Sequence, residues 1–292
     1  MSSSLAGALA GALTTRVTAL ERIRGGDLNE AFAATLADGQ RVFVKTSPGV
    51  LAGTYRAEAE DLRWLGEAGA LAVPAVIAVV DPEAPDAPGP RLLALEWINS
   101  GPLGPSGETE LGRGLAALHS AGAPTFGASH PMRLGALVVP GDPAEDWPAF
   151  YVRRRLEPAA RAARDRGALD ARGAQLVERV CARMGEIAGP PEPPARLHGD
   201  LWSGNVLADK RGRPHLIDPA AYGGHREVDL AMLRLFGGPS ARCHDAYADA
   251  HPLADGHAER VGLWQLFPLL VHAALFGGGY GASAARAAAR YA

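Results

Sequence analysis

Hydrophobic and polar positions alternate over much of the first hundred residues, whereas the rest of the chain mostly repeats hydrophobic positions at helical spacing. Alternation in Ala31–Leu36 and Arg41–Lys45, on either side of Asp38-Gly39, predicts a β-hairpin. Apolar runs at Val73–Val80 and Leu92–Ile98 predict further strands. These segments together predict a small antiparallel sheet.

Helical spacing predicts one helix within this sheet region and several beyond it. A helix from about Tyr55 to Ala68 follows the third strand, and residues 149–187 indicate two helices broken near Gly167. The apolar stretch Val261–Phe276 is too short and too interrupted to span a bilayer, so we expect a buried C-terminal helix. Two further helix faces are marked by Leu5, Leu9, Leu13, Val17 and Leu20, and by Leu111, Leu115 and Leu118.

Composition and net charge indicate a globular protein and limit its expected partners. The chain has 292 residues, of which 47% are hydrophobic and 21% charged, as in an ordinary globular protein. A formal net charge of −3 gives no drive toward nucleic acid or anionic membranes, so neither is expected as a partner. Cys181 and Cys243 form no ligand pattern, and the N-terminus lacks the basic region of a secretion signal. We therefore expect a cytoplasmic protein.

The segment Leu197–Asp218 (LHGDLWSGNVLADKRGRPHLID) carries the strongest chemical signal. Asp200 is followed after five positions by Asn205, and Asp218 comes thirteen residues later. This spacing is typical of phosphotransferases that place one carboxylate beside an acceptor hydroxyl and two oxygen ligands around Mg²⁺. Asp200 is thus predicted to be the catalytic base, with Asn205 and Asp218 as metal ligands. The alternative is that these residues only form turns.

Lys45 closes the apolar run VFV and is predicted to hold the phosphates of ATP. In the following helix, Glu58 shares a face with Leu62 and Leu65, whereas Glu60 points away. A glutamate on a buried face needs a partner, so we choose Glu58 as the partner of Lys45.

Two further segments are candidates for ATP binding. Gly25, Gly26 and Asn29 precede the first hairpin strand, where glycines let backbone N–H groups approach phosphates. The run Glu96-Trp97-Ile98 precedes a Gly-, Pro- and Ser-rich linker at Asn99–Gly107, and its backbone is expected to pair with adenine. An ordinary turn and an ordinary edge strand are the respective alternatives.

The acceptor side is indicated by Trp202 and His272, which are expected to contact substrate. Trp202 offers a stacking face, with packing beneath the catalytic loop as the alternative. His272 lies on an apolar helix, where a histidine that only satisfies the core is the alternative. His198 and Asp229 are expected to support the catalytic loop.

The chain resembles the fructosamine kinase (ketosamine-3-kinase) family, within the aminoglycoside-phosphotransferase-like kinases. The resemblance covers about residues 20–280 and rests on LHGDLWSGNVL, LIDPAAYGGHREVDLAM, FVKTS, AEAEDLRWL, LEWI, LGRGLAALH, DWPAFYVRRRL and LWQLFPLLVHAALFGGGY. It implies an α+β fold of the bilobal protein-kinase-like type. Residues 1–98 would be the ATP-binding lobe, an antiparallel sheet with one inserted helix besides the N-terminal helix, and 99–292 a larger, mainly helical catalytic lobe.

The same resemblance implies transfer of phosphate from ATP, with Mg²⁺, to the sugar 3-hydroxyl of a fructosamine or ribulosamine. The amine would be a small molecule or a protein lysine, and the phosphate would promote breakdown of the adduct. Asp27 stands where many relatives have cysteine, so a redox switch on that cysteine is not expected. A kinase for aminoglycosides or amino alcohols, and a kinase-like protein that only binds, are the other functions considered.

Overall fold

The computed structural model describes residues 2–23, 30–84 and 87–292. Its N-terminal part is built on a five-stranded sheet of order β1-β2-β3-β5-β4, in which every neighbouring pair is antiparallel. The strands are β1 (Val17–Ile23), β2 (Glu30–Leu36), β3 (Arg41–Thr46), β4 (Val76–Val80) and β5 (Leu92–Glu96). The predicted hairpin is confirmed, with Gly39 at a φ of +85° in its turn. β4 begins later than predicted, because Pro74 has no N–H to donate to a neighbouring strand.

The first helix is shorter than its hydrophobic spacing suggested. α1 (Ser2–Leu13) ends at Leu13, and Val17, which was predicted to continue the helical face, opens strand β1 instead. Thr14 has a positive φ of +51°, which ends the helix, and β1 pairs with β2 from Val17 to Ile23, with an irregularity between Val17 and Ala19. Leu5 and Leu9 are buried against the sheet, so α1 covers one of its faces.

α2 (Thr54–Glu67) is the helix inserted between β3 and β4, as predicted. Gly53 precedes it and has no side chain to cap its N-terminus. The buried carboxylate of Asp81, at the end of β4, accepts instead from the backbone N–H groups of Gly53 (3.0 Å), Tyr55 (2.9 Å) and Arg56 (3.0 Å). Arg91 Nε lies 3.1 Å from the same carboxylate. A residue distant in sequence therefore fixes where this helix begins.

The C-terminal part is mainly helical. Its helices are α3 (Pro105–Ser120), α4 (Trp147–Tyr151), α5 (Glu157–Asp165), α6 (Ala171–Ile187), α7 (Glu227–Leu235), α8 (Ala241–Ala250), α9 (His257–Trp264), α10 (Leu266–Phe276) and α11 (Tyr280–Ala288). Its short strands are β6 (Ser100–Gly101), β7 (Met132–Leu134), β8 (Leu137–Val139), β9 (Ala195–Leu197), β10 (Val206–Asp209), β11 (Pro214–Leu216) and β12 (Tyr222–Gly224). The break near Gly167 is confirmed, because α5 ends at Asp165 and α6 begins at Ala171.

Two features of this part differ from the predictions. A π-helical turn at Val152–Leu156 joins α4 to α5. The predicted single helix Val261–Phe276 is divided between α9 and α10, because Pro268 lacks the N–H that would bond the carbonyl of Trp264. The Tyr151 hydroxyl donates to that carbonyl instead, at 3.1 Å.

The fold is thus α+β, with an antiparallel sheet in the N-terminal part and helices in the C-terminal part. The predicted linker contributes β6, which pairs with β10 next to the catalytic segment. The division between lobes at residues 98 and 99 stays a prediction. None of the described helices has the length and apolarity that crossing a membrane requires.

Candidate active site

Asp200 lies in a tight loop that follows β9. Gly199, just before it, has a φ of +84°, and a Cβ at this position would collide with the carbonyl oxygen of Ala220. Only glycine meets both conditions. β9 pairs with β12, so the loop is brought against the segment that follows Asp218. Asp200 is thereby placed close to the chain that follows Asp218.

Asp229 of α7 holds this loop through its backbone. Its Oδ2 accepts from the N–H of His198 at 2.7 Å and its Oδ1 from the N–H of Gly199 at 3.0 Å. The buried His198 ring donates from Nε2 to the carbonyl of Ile217 (3.0 Å), which leaves Nδ1 to accept from the N–H of Asp200 (3.3 Å). Burial lowers the pKa of His198, which favours this neutral form. The loop therefore has few ways to move.

The carboxylate of Asp200 is half-buried and close to Asn205. The Asn205 amide nitrogen donates to the backbone carbonyl of Asp200 at 2.8 Å and to its Oδ2 at 3.2 Å. Burial raises the pKa of Asp200 to about 6, against the opposing effect of the Asn205 hydrogen bond. At neutral pH the group is still mainly ionised and can accept a proton.

Lys45 of β3 lies between two carboxylates. Its Nζ is 2.8 and 3.0 Å from the two oxygens of Glu58 and 2.8 Å from Oδ1 of Asp218. Burial alone would lower the pKa of Lys45, but the charges of Glu58 and Asp218 outweigh it and raise the pKa above its ordinary value. Glu60 is exposed, so the choice of Glu58 over Glu60 agrees with the packing of α2.

Asp218 follows β11 in the left-handed region, with a φ of +55° that aspartate tolerates better than most residues. Its side chain remains 41% exposed beside the buried Lys45. The amide nitrogen of Asn205 also lies 3.5 Å from the carbonyl of Asp218, so the amide oxygen is the atom that can ligate a cation.

Asn205 and Asp218 suit Mg²⁺ bound together with phosphates. In the described ranges, no three or more His, Cys, Asp or Glu side chains are grouped so as to hold a metal ion. Mg²⁺ at nucleotide sites takes one or two carboxylates and fills its other positions with phosphate oxygens and water. The donor set of Asn205 and Asp218 fits that requirement, since both offer hard oxygen atoms.

The predicted adenine segment lies at the end of β5. The N–H of Glu96 donates to the carbonyl of Ala75 at 2.8 Å, so this amide is used within the sheet region. The ring of Trp97 stacks beneath the guanidinium of Arg41, whose Cζ is 3.8 Å from the ring centroid. The other predicted nucleotide residues, Gly25, Gly26 and Asn29, lie outside the described residues, as does Asp27.

A cleft open to solvent lies beside Asp200. Asp200 and His272 are the ionisable residues of its lining in the part of the chain that is described. The other lining residues are Leu134, Gly199, Val228, Met232, Phe267, Pro268 and Val271. His272 donates from Nδ1 to the carbonyl of Pro268 at 2.8 Å, and burial lowers the pKa of its ring. Its Nε2 is then a hydrogen-bond acceptor, suited to a hydroxyl.

Aromatic rings cluster around His272 at the edge of this cleft. The Phe236 centroid lies 4.6 Å from that of His272 and 6.4 Å from that of Trp202, to which it is perpendicular. Tyr280 is 5.1 Å from His272 by the same measure. A Cβ at Gly204 would collide with the Trp202 ring, so glycine allows the half-buried indole to lie across the loop. Phe236 and Tyr280 were not predicted as site residues, although Tyr280 ends the string LWQLFPLLVHAALFGGGY noted above.

Comparison with known proteins places this arrangement in a family. The family model described as Fructosamine kinase matches residues 1–291. A "Probable ketoamine kinase" of Enterococcus faecium is 35% identical over 260 residues, covering 88% of this chain and 89% of the relative. Another of the same description, from Thermus thermophilus, is 36% identical over 258 residues and covers 88% of each chain.

Solved structures agree with the sequence comparison. The crystal structure of a proposed fructosamine-3-kinase from Thermobifida fusca has a TM-score of 0.88 and 43% identity, covering 98% of this chain and 99% of its own. The choline kinase LicA of Streptococcus pneumoniae shares the fold at a TM-score of 0.63 and 14% identity, covering 99% and 97% of the two chains. The matches extend over nearly the whole chain, and on these grounds the protein belongs to the fructosamine kinase family.

Proposed function

We propose that this protein is an ATP-dependent ketosamine 3-kinase, which phosphorylates the sugar 3-hydroxyl of fructosamines or ribulosamines. The observation that carries the proposal is the position of Asp200. It lies between a polar cluster suited to phosphates and a cleft whose lining suits a small hydroxylated acceptor. A base between these two regions can join the acceptor to the γ-phosphate.

On the nucleotide side, Lys45 is assigned to the α- and β-phosphates, with Glu58 keeping its ammonium in place. Exchanging the Asp218 contact of Lys45 for phosphate oxygens would free that carboxylate for Mg²⁺. Asn205 and Asp218 would hold the ion, which supplies positive charge against the phosphates. The remaining nucleotide contacts are assigned to the backbone of Gly25, Gly26, Asn29, Glu96, Trp97 and Ile98.

On the acceptor side, Asp200 accepts the proton of the 3-hydroxyl as the sugar oxygen bonds to the γ-phosphorus. The bond between that phosphorus and the β,γ-bridging oxygen breaks, and ADP leaves. His272 accepts a hydrogen bond from another sugar hydroxyl, and Trp202 covers one side of the sugar. His198 and Asp229 keep the Asp200 backbone in place for this step.

The cleft favours a ketosamine over a polycationic antibiotic as acceptor. An aminoglycoside carries several ammonium groups, and its binding calls for several carboxylates. Among the described lining residues Asp200 is the carboxylate, and most of the others are apolar. A kinase for aminoglycosides or amino alcohols is accordingly the second candidate.

A substrate panel tests the proposal. ATP turnover is measured with a ribulosamine, a fructosamine, an aminoglycoside and choline at equal concentrations, and ADP and phosphorylated product are quantified. The expected result is turnover of one or both ketosamines at rates well above those of the other two. Turnover of the antibiotic or choline alone would contradict it.

The proposal has a cellular consequence. Phosphorylation at the 3-hydroxyl promotes breakdown of the sugar–amine adduct, so the enzyme would act in deglycation of small amines or protein lysines. We place this activity in the cytoplasm, without nucleic acid or membrane as partner. We also assign ATP binding to residues 1–98 and acceptor binding to residues 99–292.

A further inference from the structure

A second carboxylate on α2, Asp61, ties this helix to the C-terminal part of the molecule. Asp61 lies one turn after Glu58 and is only 6% exposed. Its Oδ2 accepts from the backbone N–H of Ala221 at 3.0 Å, and its Oδ1 is 3.1 Å from Nε2 of His130. A single buried side chain thus contacts two segments that are distant from it in sequence.

The position of Ala221 gives this contact its significance. Ala221 comes three residues after Asp218, on the segment that runs from the metal-binding position into β12. The helix that carries Glu58 is therefore fastened to the segment that carries Asp218. Lys45 lies between Glu58 and Asp218 and contacts both. By holding α2 against the segment after Asp218, Asp61 therefore sets the distance between Glu58 and Asp218 that Lys45 bridges.

His130 makes the burial of Asp61 tolerable. A buried carboxylate costs free energy unless charge and hydrogen bonds compensate it. The hydrogen bond to Asp61 is the main cause that raises the pKa of His130, so the imidazolium form is favoured beside this carboxylate. Glu60, the residue just before Asp61 in α2, has a carboxylate oxygen 4.0 Å from the same ring nitrogen and adds to this effect.

A second contact between α2 and the C-terminal part of the molecule lies one turn further along this helix. The Arg196 guanidinium donates to the carbonyl of Trp64, and its Cζ lies 4.6 Å from the centroid of the Trp64 ring. Arg196 belongs to β9, immediately before the loop of Asp200. Two successive turns in the second half of α2 are thus attached to segments that carry the proposed catalytic residues.

We propose that Asp61 is a positioning residue for phosphoryl transfer: by binding the Ala221 amide it holds Glu58 and Asp218 at the separation that Lys45 and the Mg²⁺-bound nucleotide require. This inference rests on the proposed function for the roles of Lys45, Glu58 and Asp218. Asp61 contacts none of the reacting atoms, and it acts through Glu58 and the Asp218 segment.

The test compares Asp61→Ala and Asp61→Asn with wild type and with Glu67→Gln, an exposed carboxylate of the same helix. Affinity for a non-hydrolysable Mg²⁺–ATP analogue is measured by calorimetry without acceptor, together with the melting temperature. We expect Asp61→Ala to weaken binding by roughly 10-fold, because misplacement of a positioned group carries penalties of this order or larger. Asp61→Asn keeps the shape and one acceptor oxygen, and roughly 3-fold weaker binding is expected.

The outcome that overturns the inference is wild-type nucleotide affinity in both variants, with only the melting temperature lowered. If Asp61→Ala does not fold, Asp61→Asn decides: an affinity equal to that of Glu67→Gln overturns the proposal. Wild-type protein that binds the analogue but phosphorylates no ketosamine defeats the proposed function. The affinity comparison still decides the role of Asp61 in that case, because it requires no acceptor.

Discussion

The two sides of the Asp200 carboxylate are built in different ways. On the proposed nucleotide side, the Lys45 ammonium contacts the carboxylates of Glu58 and Asp218 at 2.8 to 3.0 Å, and these charged contacts restrict the geometry. On the acceptor side, aromatic rings such as Phe236 and His272 meet at centroid distances of 4.6 Å or more. Charged pairs require defined geometry, whereas ring contacts tolerate changes of shape. Phosphoryl transfer needs defined geometry, whereas recognition of a particular sugar amine can use a surface that tolerates changes of shape.

Replacing Asp200 should give the largest effect, because this residue is proposed to act between the nucleotide and the acceptor. Asp200→Asn removes the proton acceptor but keeps the shape, so kcat should fall by roughly 10²-fold or more. Nucleotide affinity should change little, since Lys45 and Asp218 are untouched. Steady-state kinetics and calorimetry measure the two quantities. Unchanged turnover would show that Asp200 is not the base.

Lowering the pH acts on the same carboxylate without mutation. Burial raises the pKa of Asp200 to about 6 in the folded protein, and the ionised form is the one that accepts the proton. Activity should thus be full above neutrality and lost as the pH falls through 6, with kcat/KM decreasing about 10-fold per pH unit below it. A profile that stays flat down to pH 5, with the protein still folded, would contradict this assignment.

Phe236→Ala tests whether the aromatic cluster belongs to the acceptor side and not to the nucleotide side. The phenyl ring fills the space between Trp202 and His272, and its loss should raise the KM for the ketosamine by roughly 3- to 10-fold. The KM for ATP should stay at the wild-type value, which serves as the internal control. Equal changes in both constants would show that the aromatic cluster does not belong specifically to the acceptor.

Asp81→Asn tests how the nucleotide side is supported. This carboxylate caps α2 through three backbone N–H groups and contacts Arg91, and loss of its charge should lower the free energy of unfolding by about 1–2 kcal/mol. Chemical denaturation measures this change. The affinity for ketosamine should be unaffected at temperatures where the variant is folded. A selective loss of that affinity would argue against the assignment of Asp81 to the support of the nucleotide side.

The Lys45–Glu58 contact and the loop of Asp200 could be predicted from the sequence better than the aromatic contacts of His272, for a physical reason. The pairing of Lys45 with Glu58 could be derived from helical spacing, because a buried glutamate needs a cation nearby. Part of the loop of Asp200 is encoded within one short segment, where Asn205 bonds the Asp200 backbone, and Asp229 of α7 holds the rest. The α+β fold followed from alternation and helical spacing in the same way.

Contacts between distant segments could not be derived in this manner. Asp81 caps a helix that begins 27 residues before it, and no local pattern indicates such a partner. Phe236 follows α7 and Tyr280 opens α11, and both contact His272 of α10, so their proximity depends on how the helices pack. Val17 was assigned to a helix because its spacing continued that of α1, and pairing with β2 overrode that preference.

The most direct test of the central claim is the identity of the product. Wild-type protein is incubated with ATP, Mg²⁺ and a ribulosamine or fructosamine, and the product is analysed by phosphorus and carbon NMR. The account predicts one phosphate on the 3-hydroxyl of the sugar for each ADP formed. ADP formation without a sugar phosphate, or phosphate on another hydroxyl, would contradict it.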